Sequence, residues 1–504
     1  MRACAVHRLI RNATANALQA VASALLILVL YRYISASIGA GLFGVWSVLL
    51  ATASASRLAD LGLGSSVTRF VARDLAQAKP VHAAAVIDTV TLTLMGTMLA
   101  AVAAAYPLLS LALPHLFTGK YLDHAYALLP WALTSFWITS IGGVQLSALD
   151  GAQRMGARSI LVLSAQGIMT GLAFALVPSA GLIGLAAAQL VQGILIASFG
   201  RILATRSVPG LHLVPGRWSW QTLREMLGYS IHLQVAGVAT ILVEPLSKAM
   251  MARFGGPAVA GYFEFAYQAA LRVRSVIVGA NQAIIPLVAE LQEKARDSLE
   301  RLYRSNLRVL VPSTGVVFSL LLSWSGALSV VLLGRQEASF VRLLVAVTVA
   351  LFSNMIVTPI YLANVGTGHV RFNTASQIGT AVINAVSGMV LGSSFGAAGV
   401  AAAYALSITA GSAILLLGPV GGSFRHLFTS VLRENWVLAV AAPLSVVTLL
   451  VTQPFARPLS ADRLSLGVLL PLVLLGGAAA VHPVGRQLLS RVLARRPRAV
   501  RRTS

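Results

Sequence analysis

Acidic residues and cysteine are scarce in this sequence. Fifteen Asp and Glu stand among 504 residues, and charged residues of both signs make up only 11%. Soluble domains carry about 25%, so a soluble chain of this length is excluded. Cys4 is the only cysteine, which rules out an intramolecular disulfide and a cysteine-based metal cluster. The pattern G-x-x-x-x-G-K-[ST] does not occur, so direct ATP drive through a phosphate-cradling loop is not expected within this chain. No polar stretch is long enough to fold as a separate soluble domain.

What is present is apolar. Hydrophobic residues make up 57% of the chain. They recur in runs of roughly 18–25 residues, each long enough to cross about 30 Å of hydrocarbon. The runs predict helices near 15–38, 43–68, 83–107, 126–148, 159–178 and 182–204, then 226–252, 259–287, 307–332, 341–363, 373–392 and 397–418. Two more lie near 435–452 and 466–482. Helix is the only state open to them, because unpaired backbone in lipid is too costly and the runs are too long for barrel strands. The expected fold is an all-α integral membrane protein of about fourteen transmembrane helices. The run from Ala15 to Ile38 follows Arg2, Arg8 and Arg11, but it is too long for a signal peptide and reads as a retained first helix.

The net charge of +23 does not point to nucleic acid, since the arginines are dispersed among short loops between apolar runs. With the N-terminus inside, inward segments with the helix ends beside them hold 27 of the 38 Lys and Arg, and outward loops with theirs hold six. This is the bias that keeps basic loops cytoplasmic. Both termini are therefore expected in the cytoplasm, and the arginine-rich tail (Arg486 to Arg502) is expected against anionic headgroups.

The two six-helix halves match at a nearly constant offset. Gly181-Leu-Ile-Gly-Leu-Ala-Ala-Ala188 aligns with Gly396-Ala-Ala-Gly-Val-Ala-Ala-Ala403 at a shift of 215, which also pairs Gly151 with Gly366. Gly39 and Gly44 pair with Gly256 and Gly261 at 217. The duplication divides the chain into an N-lobe (1–204), a cytoplasmic linker (205–225), a C-lobe (226–418) and a final segment (419–504) of two extra helices and a basic tail. Two lobes related along the membrane normal are expected to enclose a central cavity and to rock for alternating access.

Several segments carry a family resemblance. Gly41-Leu-Phe-Gly-Val-Trp46 and Leu58-Ala-Asp-Leu-Gly-Leu-Gly-Ser-Ser-Val-Thr-Arg-Phe-Val-Ala72 resemble the first-hairpin signature of polysaccharide and O-antigen flippases. Gly261-Tyr-Phe-Glu-Phe-Ala-Tyr267 and Ile285-Pro-Leu-Val-Ala-Glu290 look like that family's eighth-helix pattern, and the segments from Gly151 and Asn364 also fit. The resemblance covers most of residues 10–418. It places the chain in the multidrug/oligosaccharidyl-lipid/polysaccharide exporter superfamily and implies a V-shaped cavity. It also implies a bacterial inner-membrane location and a lipid-pyrophosphate-linked oligosaccharide substrate taken from the cytoplasmic leaflet. A functional monomer, working beside a glycan polymerase and chain-length machinery, is the expectation that goes with it.

Ionisable residues in mid-span are costly, about 2.5–3.5 kcal/mol on insertion scales, so they face an interior, a watery cavity or a partner. Arg57 and Arg274 are equivalent in the repeat at 217, and Arg32 and Lys248 are equivalent within one residue, at 216. With Arg272 they are candidates for a cationic lining that grips pyrophosphate. Local explanations stand beside this one. Arg57 with Asp60, and Glu244 with Lys248, have the spacing of intrahelical pairs, and Arg272 and Arg274 have the place of snorkelling residues.

Asp60, Asp88, Glu244 and Glu264 are candidates for proton or sodium coupling or for gating. For Asp88 a place near the cytoplasmic end of the third helix is the plainer reading. Pro245 is expected to break its helix, and Gln145, Gln166, Gln189 and Gln192 offer bonds either to sugar hydroxyls or to neighbouring helices. The mixed-charge segment Ala289–Asn306 reads as a solvated connecting helix. No cofactor or metal is expected.

Two alternatives remain open. One is a multidrug or peptidoglycan-precursor exporter of the same superfamily. The other is a membrane glycan polymerase or glycosyltransferase, against which stands the poverty of the longest outward connection, Leu108–Ala125.

Overall fold

A computed structural model of the chain describes residues 22–54, 63–281, 296–367, 370–418 and 424–427, with residues 19 and 430 singly. Every described element is helical. They run α1 (Ala22–Ser37), α2 (Gly39–Ser54), α3 (Leu63–Ala76), α4 (Pro80–Leu116), α5 (Lys120–Gly151), α6 (Met155–Thr205), α7 (Trp220–Gly255) and α8 (Pro257–Asn281). Then come α9 (Arg296–Ser323), α10 (Ser325–Leu333), α11 (Ala338–Thr367) and α12 (Val370–Leu415). Six of these are long and apolar enough to cross a membrane, and α1 and α2 are shorter apolar helices. The chain is an all-α membrane-spanning protein, and the described helices account for the first twelve predicted spans. Spans thirteen and fourteen lie outside the described residues.

Two pairs of spans are joined by a turn on a single glycine. The predicted spans five and six, both within the range labelled α6, are two helices that fold back on each other at Gly181 (φ 54°, ψ −130°), as the bond from Gln192 to Gln166 across them shows. Spans eleven and twelve, both within α12, do the same at Gly396 (φ 59°, ψ −142°), where Ser376 reaches Gly411 O. A positive φ suits glycine, which has no Cβ to clash. Three residues after each break, Gly184 and Gly399 lie against the carbonyl oxygens of Leu176 and Leu391, where a Cβ would collide. These residues correspond at the shift of 215, so the duplication extends to backbone conformation.

Other expectations shift in detail. The connection expected over Leu108–Ala125 is only three residues long, since α4 continues to Leu116 and α5 starts at Lys120. With 37 residues, α4 rises about 55 Å and overreaches the hydrocarbon. Pro245 does not break α7, which is continuous. Asn384 of α12 braces it there, donating to Val243 O (3.4 Å) and Ser247 Oγ (3.0 Å). The mixed-charge segment from Arg296 is the first part of α9 rather than a separate helix. It is only partly solvated, because Tyr303 and Leu307 are buried with Val357 and Ile360 of α11.

The chain forms two compact units. One comprises Met1–Phe265, Leu332–Gly334 and Gln377–Ser407. The other comprises Ala266–Val331, Arg335–Ser376 and Ile408–Ser504. In the first unit, α3 buries Leu63, Ser66, Val67, Phe70, Val71 and Asp74, the i, i+3, i+4 spacing of one helix face. Its core includes Phe43 stacked on Phe265 at 4.5 Å, with Tyr31 edge-on to both.

Candidate functional site

The first unit brings the α1–α2 hairpin of one repeat against the α7–α8 hairpin of the other. Both hairpins turn on a glycine at positive φ, Gly39 (79°) and Gly256 (85°). Beyond each turn a second glycine permits close approach. A Cβ on Gly44 would overlap the Pro257 carbonyl oxygen, and one on Gly261 would overlap that of Ala40. Residues 40 and 257 are themselves equivalent at the shift of 217. The crossing of α2 and α8 is therefore reciprocal, as at a pseudo-two-fold axis.

One turn further along, the crossing holds a buried carboxylate. Glu264 of α8 accepts from Ser47 Oγ of α2 (3.1 Å) and from Tyr31 Oη of α1 (3.2 Å), and it forms an ion pair with Lys248 of α7. Lys248 is also paired with Glu244 (2.6 Å), one turn earlier on α7. Glu264 and Lys248 are buried, whereas the Glu244 side chain is 35% exposed. Among the described residues two carboxylates share one ammonium, and the accessible end of the cluster is Glu244. Such a cluster can bind or release a cation or a proton at that end while the buried part stays paired.

The candidates from sequence are distributed as follows. Lys248, Glu244 and Glu264 come together, so Lys248 is neutralised rather than presented as a bare cation. Lys248 matches Arg32 only to within one residue, and the register of Gly39/Gly256 and Gly44/Gly261 pairs it with Tyr31. Arg32 is exposed and lies on the backbone of Gly334. Arg272 is exposed.

Arg274 belongs to the second unit, where its Nη2 donates to Asn354 Oδ1 (3.2 Å) and Asn354 donates to Ser412 Oγ (3.5 Å). Among the described residues the Arg274 Nε is buried with no acceptor in reach. Arg57 and Asp60 lie outside the described residues. Asp88 is buried against Arg201 of α6 (Nη2 to Oδ1, 2.5 Å), a partner 113 residues away. Gln145 donates to Thr91 Oγ1 (3.1 Å) and Gln192 to Gln166 Oε1 (2.9 Å), both between helices.

Sequence reasoning missed Tyr31, Ser47 and Arg201. The first two carry no charge and sit in apolar runs. The shift of 217 from Lys248 and Glu264 was the available signal for them.

These features define a class: a polytopic helical membrane protein built by duplication, with the repeats meeting at a buried charged crossing. The chain belongs to the polysaccharide biosynthesis protein family, whose profile matches residues 9–292. Its fold is similar to that of the lipid II flippase MurJ in an inward closed conformation, at 13% identity, over 95% of this chain and 100% of that one, with a TM-score of 0.71. It is also similar to an inward-facing multidrug resistance MATE family transporter of the MOP superfamily, at 14% identity, over 82% and 96%, with a TM-score of 0.65. A MOP superfamily transporter from Pyrococcus furiosus matches at 13% identity, over 83% and 93%, with a TM-score of 0.57. No curated protein matches the sequence.

Proposed function

We propose that the protein is an alternating-access flippase for a lipid-(pyro)phosphate-linked oligosaccharide, such as an O-antigen, capsule or exopolysaccharide repeat unit. It would move this substrate from the cytoplasmic to the periplasmic leaflet of the inner membrane, with both its own termini cytoplasmic. The observation that carries the reading is the contact of equivalent positions, Gly44 with Gly261 and Ser47 with Glu264, in a chain of the polysaccharide biosynthesis family. A crossing built from one hairpin of each repeat is where a two-lobed transporter must part to open.

Arg274, with a buried donor that meets no acceptor among the described residues, supports an anionic headgroup as ligand. Arg57 is its repeat partner in this reading. The Glu264–Lys248–Glu244 cluster is the coupling element, with Glu244 exchanging a proton or sodium ion as the crossing opens. The working unit is a monomer acting upstream of a glycan polymerase.

Deletion should trap lipid-linked oligosaccharide in the inner leaflet. Arg57→Gln and Arg274→Gln should each abolish glycan export while the protein remains in the membrane. Unchanged export in both variants would remove the headgroup assignment.

A further inference from the structure

The connection between α6 and α7, residues 206–219, is held by bonds a passive loop does not need. Arg201 Nε donates to the carbonyls of His212 (2.8 Å) and Leu213 (3.2 Å), while its Nη2 binds Asp88. The other Asp88 oxygen accepts from Gly216 N (3.3 Å). Thr89 Oγ1 donates to Arg217 O (3.4 Å) and accepts from Ser219 N (3.2 Å). Trp218 Nε1 donates to Thr93 Oγ1 (3.1 Å), and Ser219 Oγ caps α7 by accepting from Thr222 N (3.3 Å). Val208 and Leu211 are buried beneath. Two buried charges and two threonines thus fix this backbone along α4.

The pinned backbone turns apolar groups outward. Leu213, Val214, Trp218 and Trp220 are 62%, 78%, 53% and 60% exposed, and the two indoles lie 6.3 Å apart. Arg206, Arg217 and Arg224 are exposed beside them, and no acidic residue occurs from 206 to 224. Water would penalise this exposed apolar area. The boundary between headgroups and acyl chains suits it, because indoles favour that depth and arginine pairs with lipid phosphate. The depth also fits. Thr93 is thirteen residues into α4, about 20 Å from its start, on a helix longer than the hydrocarbon requires.

We propose that residues 206–220 form an interfacial strap. Leu213, Val214, Trp218 and Trp220 insert at the headgroup boundary of an anionic leaflet, Arg206, Arg217 and Arg224 bind its phosphates, and the Asp88–Arg201 pair sets the depth. Because the strap joins the two repeat halves, the leaflet holds their connection in place. The inference requires a membrane protein but is independent of which substrate is carried.

The test uses the full chain with Cys4→Ser and Val214→Cys, labelled at residue 214 with an environment-sensitive fluorophore. The protein is reconstituted in phosphatidylcholine vesicles with and without phosphatidylglycerol. Expected are blue-shifted emission, stronger quenching by nitroxide near the headgroup than at the chain end, and at least twofold deeper quenching with phosphatidylglycerol present. Emission as in water, quenched by iodide and not by lipid nitroxide, would overturn the strap and leave the surface to a protein partner. Strongest quenching at the chain end would overturn the interfacial depth, and equal quenching in both vesicles would overturn the phosphate contacts. Thr93→Val, which removes the acceptor of Trp218 together with the bond Thr93 donates to Thr89 O within α4, should reduce headgroup quenching in folded protein; no change would overturn the positioning role of α4.

Discussion

Ser47 and Glu264 occupy the same position in the two halves of the chain, 217 residues apart, and they touch, Oγ to Oε2 at 3.1 Å. Tyr31 and Lys248, separated by the same 217, both reach the same carboxylate. Duplication thus placed two equivalent pairs face to face, and one pair became charged. The hydroxyls of the uncharged pair now satisfy the carboxylate of the other. This arrangement ties the stability of the crossing to a single acid.

Glu264→Gln should lower stability and transport together. Removing one partner of a buried ion pair costs about 3–5 kcal/mol, and Glu244 remains to soften the loss on Lys248. The thermal unfolding midpoint in detergent should fall. Adding Lys248→Met should recover part of that fall, because the stranded ammonium is gone. Additive losses would contradict the pairing.

Gly44→Ala and Gly261→Ala should each force α2 and α8 apart. Overpacking of this kind costs about 1–3 kcal/mol. The two losses should be less than additive, since both relieve the same crossing. Gly96→Ala and Gly171→Ala, where an added Cβ meets nothing within 4 Å, serve as neutral controls. Thermal unfolding of the four variants decides the matter.

Asp88→Asn should reduce folded protein while the surviving fraction keeps the ion dependence of transport. Arg201→Lys should behave alike, because lysine cannot reproduce the guanidinium's bonds to Asp88, His212 and Leu213. Normal abundance with a lost ion response would instead make Asp88 part of the coupling site.

Asp150, in the last turn of α5 and beyond the apolar run 126–148, gives a pH signature. Burial pushes its carboxyl up, and Arg158 at 3.2 Å only partly offsets this. The fold therefore favours the protonated form. Stability from this group is present at low pH and is lost as pH rises from the ordinary aspartate range through the raised value. Asp150→Asn should remove that loss, so the gain in unfolding midpoint over the parent grows with pH and then levels off. A gain that is constant with pH would contradict the assignment.

Much of this was legible in sequence where the signal was local or periodic. Hydropathy gave the spans, and spacing anticipated the Lys248–Glu244 pair. The offset of Gly181 and Gly396 anticipated a repeated break between spans, although not that one positive-φ glycine would suffice to reverse the chain there. Long-range partners were hidden. Asp88 has no base within one turn, and Arg201 lies at a helix end where a basic residue needs no explanation. Tyr31 was masked by its neighbour Arg32, since charge drew the comparison one residue out of register. Arg57 and Asp60 lie outside the described residues.

The most direct test of the account is transport by the purified chain. The protein would be reconstituted in vesicles carrying a fluorescent lipid-pyrophosphate-linked oligosaccharide, with a parallel set loaded with an organic cation. The saccharide should appear at the opposite leaflet faster than in protein-free vesicles, slowed at least tenfold by Glu264→Gln, with no flux of the cation. Cation flux without saccharide movement would contradict it.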